Sequence, residues 1–193
     1  MNWVSRTMSE AIVVLAAGVG SRFRGHERKL RVDFRGRPIL EWVLEATKDV
    51  PCDERIIVVG GTYVSDLISD AFTVLNNVDF ETGMASSLNV ARSHCEAQGH
   101  EAMTVGLADQ PGVTTECWTN VVLSRGKPIA VATYNGQRRN PVRLARSVWF
   151  DLPNEGDLGA RSLMAAHPEI VEEVACEGEC FDIDTVEDLL KWS

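Results

Sequence analysis

Apolar and polar positions along this chain alternate between two periods. Residues 11–15 are an unbroken apolar run and predict a first strand. Pro38 opens a predicted helix that keeps Leu40, Val43, Leu44 and Thr47 on one face. Residues 55–59 are a second β-branched run, closed by Gly60-Gly61, and 63–72 repeat their apolar positions as a helix does. A third strand is expected at 72–75. A helix then begins at Gly83, with Met84, Leu88, Ala91 and Cys95 as its stripe. Strands at 102–107, 128–134 and 170–176 alternate with helices at 114–123, 157–167 and 186–192, and Asn135-Gly136 marks a turn. Such alternation predicts a mostly parallel sheet with helices on both faces. The expected fold is a single Rossmann-like three-layer α/β/α domain over 1–193, with 1–9 as an N-terminal tail. Ligands of such folds lie beyond the carboxyl ends of the strands. The segment after the first strand and Asp109, just after 102–107, should therefore share one edge.

Composition narrows the class. At 193 residues, 45% hydrophobic and 24% charged, the chain suits one soluble domain with a substantial core. No apolar run approaches the roughly 20 residues of a membrane span, and 1–10 has no apolar stretch of a secretory signal. Neither a membrane nor an exported location is expected, and the cytoplasm is the predicted compartment. The five cysteines are widely spaced, and Cys176-x-x-x-Cys180 lacks a second pair or a histidine to make a zinc site. Reduced, mostly buried thiols are expected. A net charge of −9 argues against nucleic-acid binding. Yet residues 22–37 hold seven Lys/Arg against two Asp/Glu, which suits a small polyanion. Arg31, Arg35 and Arg37 alternate with Val32, Phe34 and Gly36 as on a half-exposed strand. That leaves Arg22 and Lys29 as the cations of the loop.

The loop itself carries most of the chemistry. Residues 15–29 read Leu-Ala-Ala-Gly-Val-Gly-Ser-Arg-Phe-Arg-Gly-His-Glu-Arg-Lys. A strand running into glycines 18, 20 and 25 and then into basic side chains builds an anion cradle: glycines let backbone N–H groups approach phosphate oxygens, and the cations neutralise them. It is not a Walker A loop, because no Gly-x-x-x-x-Gly-Lys-Ser/Thr occurs. It is not a dinucleotide fingerprint either, because Phe23 stands where the third glycine belongs. The motif Leu-Ala-Ala-Gly-x-Gly-Ser-Arg-Phe, with Gly25 and Lys29, resembles the MobA-like nucleotidyltransferases, most closely the molybdenum cofactor cytidylyltransferases. Likeness extends over roughly residues 10–192 and includes Asp109-Gln110-Pro111, Gly83-Met84-Ala85-Ser86-Ser87, Gly156-Asp157-Leu158-Gly159-Ala160-Arg161 and Asp182-Ile183-Asp184-Thr185.

The resemblance implies a nucleotide-diphospho-sugar transferase type of fold and a Mg²⁺-dependent transfer of a nucleoside monophosphate. It places Leu15, Ala16, Ala17, Gly18, Gly20, Ser21, Arg22 and Lys29 around the nucleotide, with Gly83, Ser86 and Ser87 as further contacts. Ala16-Ala17 in this place points to CTP. Arg22, Lys29 and Asp109 are the expected catalytic residues. The metal falls to Asp109 with a second carboxylate, Asp182 or Asp184. Asp182 is the favoured one, since Asp184 with Thr185 also reads as an N-cap, boxed by Glu187. Arg139, Asn140, Asp157 and Arg161 are expected to face the acceptor. There the chain departs from the family's usual Gly-His-Pro, reading Arg138-Arg139-Asn140-Pro141. A molybdopterin-type acceptor is the leading expectation, with a molybdoenzyme or its chaperone as a candidate partner and a monomer or weak dimer as the assembly. A sugar phosphate or other phosphorylated acceptor stays open, as does a non-catalytic protein that binds nucleotide and delivers a cofactor.

Overall fold

A computed structural model describes residues 9–18, 20, 22–24 and 28–193. Residues 1–8 of the predicted tail at 1–9, together with Ser21 and Gly25 of the loop, lie outside the described residues. The first strand, β1 (Glu10–Ala16), is buried along its whole length. That is why it reads as an apolar run without alternation: both faces of the sheet are covered. After the loop come two short strands, β2 (Asp33–Phe34) and β3 (Arg37–Pro38), paired antiparallel, and then helix α1 (Ile39–Thr47). Arg35 and Gly36 have φ of 53° and 91° and turn the chain back on itself. The arginines at 31–37 thus belong to a turn and a small hairpin, not to one strand.

The main sheet continues with β4 (Glu54–Val59) and β5 (Thr73–Asn76). Helix α2 (Met84–Gln98), β6 (Ala102–Leu107), α3 (Thr115–Leu123), β7 (Ile129–Tyr134) and β8 (Gln137–Ala145) follow. The described chain closes with α4 (Arg161–Ala166), β9 (Val171–Ala175) and α5 (Val186–Trp192). The seven strands are ordered β5-β4-β1-β6-β8-β7-β9. β5, β4, β1 and β6 are parallel; β8 runs antiparallel to both β6 and β7; β7 and β9 are parallel. Alternate residues of β1 feed opposite cores. Ala11, Val13 and Leu15 pack with Leu88, Ala91 and Cys95 of α2 and with Leu163 and Met164 of α4. Ile12 packs with Trp118 and Val121 of α3, and Val14 and Ala16 with Leu40, Val43 and Leu44 of α1. The expected three layers and mostly parallel sheet are therefore present.

Four expectations are corrected. Residues 63–72 form only a short turn at Ser65–Leu67, although Val64, Leu67, Ile68 and Phe72 still pack on the α1 side of the sheet. Ser65, Ser69 and Asp70 compete with the backbone for hydrogen bonds there, which undercuts a helix. The helix expected from 157 starts at Arg161, because Gly156 and Gly159 take φ of 88° and 50°. β8 was not anticipated, since Arg138-Arg139-Asn140-Pro141 reads as a loop. Its pairing with β7 jumps from Val131–Val142 to Ala132–Arg139, so Asn140 and Pro141 sit in the irregularity where proline is tolerated. Finally, Cys117 and Cys176 are paired as a disulfide, so not all thiols are reduced; Cys52, Cys95 and Cys180 are free.

Candidate active site

Four segments bring their side chains to the carboxyl edge of β1 and β6. The loop after β1 starts the site. Gly20, at φ +63°, lets the Lys29 stem pass close by, since a Cβ there would stand 3.0 Å from Lys29 Cβ. Phe23 is buried with Ile183, Phe34 and Ile39, which anchors the loop on the C-terminal segment. Ile183 is itself fully buried, and its N–H donates to the Asp109 carbonyl at 3.1 Å. Asp182 and Asp184 flank it and so share the opposite side of an extended stretch.

The result is an ion cluster. Lys29 Nζ lies 2.6 Å from Asp109 Oδ2 and 2.9 Å from Asp184 Oδ1, and the Arg22 guanidinium lies 3.0 Å from Asp184 Oδ2. Burial pulls the Lys29 ammonium down, but the Asp109 charge and hydrogen bonds to both carboxylates outweigh it and hold its pKa above the ordinary lysine value. Asp182 takes another partner: its Oδ1 accepts from Gln110 Nε2 at 2.6 Å, and Gln110 Oε1 accepts from Asn140 Nδ2 at 3.1 Å. Burial pushes the Asp182 carboxyl up, and the neighbouring Asp109 and Asp184 charges add to that. The N-cap of α5 is Thr185, boxed by Asp188, so Asp184 is released from the capping role and Glu187 does not close the box.

A cleft of about 720 Å³ opens over this cluster. Leu15, Ala17, Gly18, Gly20, Arg22 and Lys29 line one side. Asp109, Asp182 and Asp184 form the floor, and Gly83, Ser87, Asp157 and Arg161 face them. Gly83 is required by close approach: a Cβ would stand 2.8 Å from both Asp157 Oδ1 and Gly156 O, and Asp157 accepts from the Met84 N–H at 3.1 Å. Other predicted contacts fall elsewhere. Ala16 is buried beneath the loop. Ser86 lines a neighbouring polar groove and hydrogen bonds Asn77 at 2.8 Å. Arg139 turns to Gln137 at 3.0 Å, outside the cleft, and Asn140 lies below it against an apolar slot. Sequence reasoning missed Phe80, Glu81 and Thr82 of the cleft wall, and the buried amide of Gln110. The position of Gln110, next to Asp109 at the strand end, was its only signal.

Comparison with known proteins fits this geometry. The model of the MobA-like NTP transferase domain matches residues 12–171, which span the glycine loop, Asp109 and Arg161. The chain belongs to this family. Among curated relatives, the bifunctional protein GlmU of Desulfitobacterium hafniense is 27% identical over 187 residues. The match takes in 94% of this chain and 40% of that protein, so the chain spans well under half the length of such relatives. The solved structure of Rv0371c from Mycobacterium tuberculosis H37Rv is 26% identical, with a TM-score of 0.81 over 96% of this chain and 98% of that one. The same mycobacterial protein has also been solved in complex with manganese, at 23% identity and a TM-score of 0.79 over 95% and 97%. The inositol-1-phosphate CTP transferase of T. maritima shares the fold, with a TM-score of 0.72 at 15% identity over 96% of both chains.

The MobA-like site suits a hard divalent cation. Asp109 Oδ1 is buried and has no hydrogen-bond partner among the described residues, and a free carboxylate oxygen is what Mg²⁺ or Mn²⁺ takes. No group of three His, Cys, Asp or Glu that could hold a metal ion is present among the described residues. Among the described residues, no helix is long and apolar enough to cross a membrane.

Proposed function

We propose that the chain acts as one nucleotidyltransferase unit, moving a nucleoside monophosphate, CMP from CTP, onto a phosphorylated acceptor and releasing pyrophosphate. The observation that carries this reading is Lys29 held between Asp109 and Asp184 at the mouth of the glycine loop, with Arg22 beside it. A nucleotide triphosphate would lie along 15–22, against backbone N–H groups and these two cations. An acceptor phosphate oxygen attacks the α-phosphorus, the bond from that phosphorus to the β-phosphate oxygen breaks, and pyrophosphate leaves with the electron pair. The attacking phosphate is already ionised at neutral pH, so no general base is required. The residues position the groups in line and offset developing charge. A bound divalent cation, Mg²⁺ in this reading, would neutralise phosphate charge as a Lewis acid. Asp109 would hold it with a second carboxylate, Asp182 or Asp184. Asp182 accepts through one oxygen, from Gln110, whereas both oxygens of Asp184 are ion-paired, to Lys29 and Arg22.

CTP is favoured by Ala16-Ala17 and by the CTP transferase among the neighbours of like fold. A molybdopterin-type acceptor is the leading reading, with Asn140, Asp157 and Arg161 on its side of the cleft. A polyol phosphate is the second reading, favoured by Arg139-Asn140 in place of the family's usual residues and by the acceptor in the T. maritima enzyme's name. The test is thermal shift with each NTP plus Mg²⁺, for wild type and Asp109→Ala. A CTP-selective, Mg²⁺-dependent rise that disappears in Asp109→Ala is the expected result. No rise with any NTP would overturn the triphosphate site.

A further inference from the structure

Below the polar cleft lies a second, smaller space of different chemistry. A slot of about 40 Å³ runs between the 158–164 segment, α2 and strands β6 and β8. Its walls are Leu88, Val105, Leu144, Leu158 and Met164, and among the described residues its only polar lining comes from Asn140 and Arg161. Leu15, Met84, Leu107 and Arg161 line both the slot and the cleft, so the slot is a side chamber of the same site. Gly159 is part of this construction: it sits at φ +50°, and a Cβ there would stand 3.4 Å from Met84 Sδ. The loop thereby closes on α2 with the slot left open between them.

The slot excludes hydroxyl-rich groups by its walls. An apolar cavity offers water and sugar hydroxyls few partners, so a hydroxyl carried into it is left unsatisfied. The two polar residues stand ready in different ways. The Arg161 side chain is exposed and makes no hydrogen bond or ion pair among the described residues, so it is free to hold an anion where slot and cleft meet. Asn140 uses its amide nitrogen on Gln110 at 3.1 Å, which fixes the amide plane and leaves its side-chain oxygen as a single acceptor.

We propose that the slot selects the acceptor: a phosphate monoester whose phosphate is held at Arg161 and whose next group is an aromatic ring or short apolar arm, not a polyhydroxylated ring. This rests on the nucleotidyltransferase reading and decides between its two acceptor classes. A space of about 40 Å³ takes a ring edge or an alkyl arm, and a site of this kind discriminates by the groups it leaves unpaired.

The test compares phenyl phosphate with glucose 1-phosphate and inositol 1-phosphate as acceptors for CTP and Mg²⁺, read as pyrophosphate release. It is paired with saturation-transfer NMR of phenyl phosphate on the protein without nucleotide. The variant is Leu158→Asn, at a wall position that is 62% exposed, where folding tolerates a polar side chain. The expected result is a kcat/KM for phenyl phosphate at least about tenfold above the polyol phosphates. Leu158→Asn should erase that preference through KM and leave the CTP-induced thermal shift unchanged. Ring protons of phenyl phosphate should receive saturation in wild type and lose it in the variant. Equal or better use of the polyol phosphates, or a preference indifferent to Leu158→Asn, would overturn the slot. If no acceptor turns over, or if CTP gives no thermal shift, the nucleotidyltransferase reading is what fails. The slot then stands or falls on the saturation-transfer signal alone.

Discussion

Two clusters of like charges and opposite fates sit at the two ends of the same strands. At the carboxyl edge, Lys29 joins Asp109 and Asp184, with side-chain exposures of 11%, 19% and 26%. At the other end, some five residues or about 16 Å back along β1, Arg143 of β8 meets Glu10 Oε2 at 3.0 Å, with exposures of 1% and 3%. Thr104 of β6 donates to the other Glu10 oxygen at 3.0 Å. This inner pair ties three strands in one register, and Arg143 is the side chain through which the antiparallel β8 is fixed to β1. A sealed ion pair sacrifices reactivity for position. An open one keeps an uncommitted oxygen on Asp109 and cations that can trade one anion for another. Pairs of the same opposite charges therefore do structural work where they are sealed in the core and remain available for chemistry where a cleft reaches them.

The sharpest way to break this contrast is Lys29→Ala. Pyrophosphate release should fall by about 10²–10³-fold, as for removal of one preorganised donor, with the urea midpoint little changed. Near-normal turnover would remove Lys29 from the reaction. The mirror experiment is Arg143→Met. It should cost about 3–5 kcal/mol in denaturant unfolding by stranding Glu10 in the core, while turnover per folded molecule stays close to wild type. Replacing both partners, as Glu10→Leu with Arg143→Met, should recover most of that loss.

A smaller effect comes from pH. Burial works against the Glu54 charge, but hydrogen bonds from His100, Thr73 and His94 outweigh it and hold Glu54 below the ordinary glutamate value of 4.5. Its contribution to stability is thus present above 4.5 and lost as pH falls through the lower folded value. Glu10 has the opposite sign. Burial raises it despite Arg143, so stability declines as pH rises from 4.5 through its higher folded value. Unfolding free energy measured from pH 3 to 7 should rise and then ease. Glu54→Gln should flatten the acid limb alone.

Much of this was legible in the chain because local physics fixes it. An unbroken apolar run must be a strand covered on both faces, and glycines followed by cations at a strand end must lie at the sheet's carboxyl edge. Asp109 and Lys29, 80 residues apart, could be assigned to one site on that rule alone. What was not legible depends on long-range pairing. Arg138-Arg139-Asn140-Pro141 carries loop residues, yet β7 pairs with Arg138 and Arg139, and both β6 and β7 pair with 142–144 just beyond, so the segment is drawn into strand. Cys117 and Cys176 are 59 residues apart, and no spacing rule brings them together; the packing of α3 beside β7 and β9 does. Residues 63–72 show the converse, an apolar pattern satisfied by packing without a helix. Gln110 was hidden because an amide beside a carboxylate looks like turn chemistry until Asp182 and Asn140 close on it from distant segments.

The reversed strand β8 has a consequence for how such a protein changes over time. It divides the sheet into a four-strand parallel part, which carries the glycine loop and Asp109, and an outer part hung on a hairpin. Asn140 belongs to that hairpin, at the one place where its pairing skips. Replacements there disturb no crossover and reach the phosphate-binding half through the Asn140–Gln110 hydrogen bond. A lineage can accordingly vary this hairpin while inheriting the glycine loop and Lys29, with Gln110 as a joint at which the two halves must stay matched.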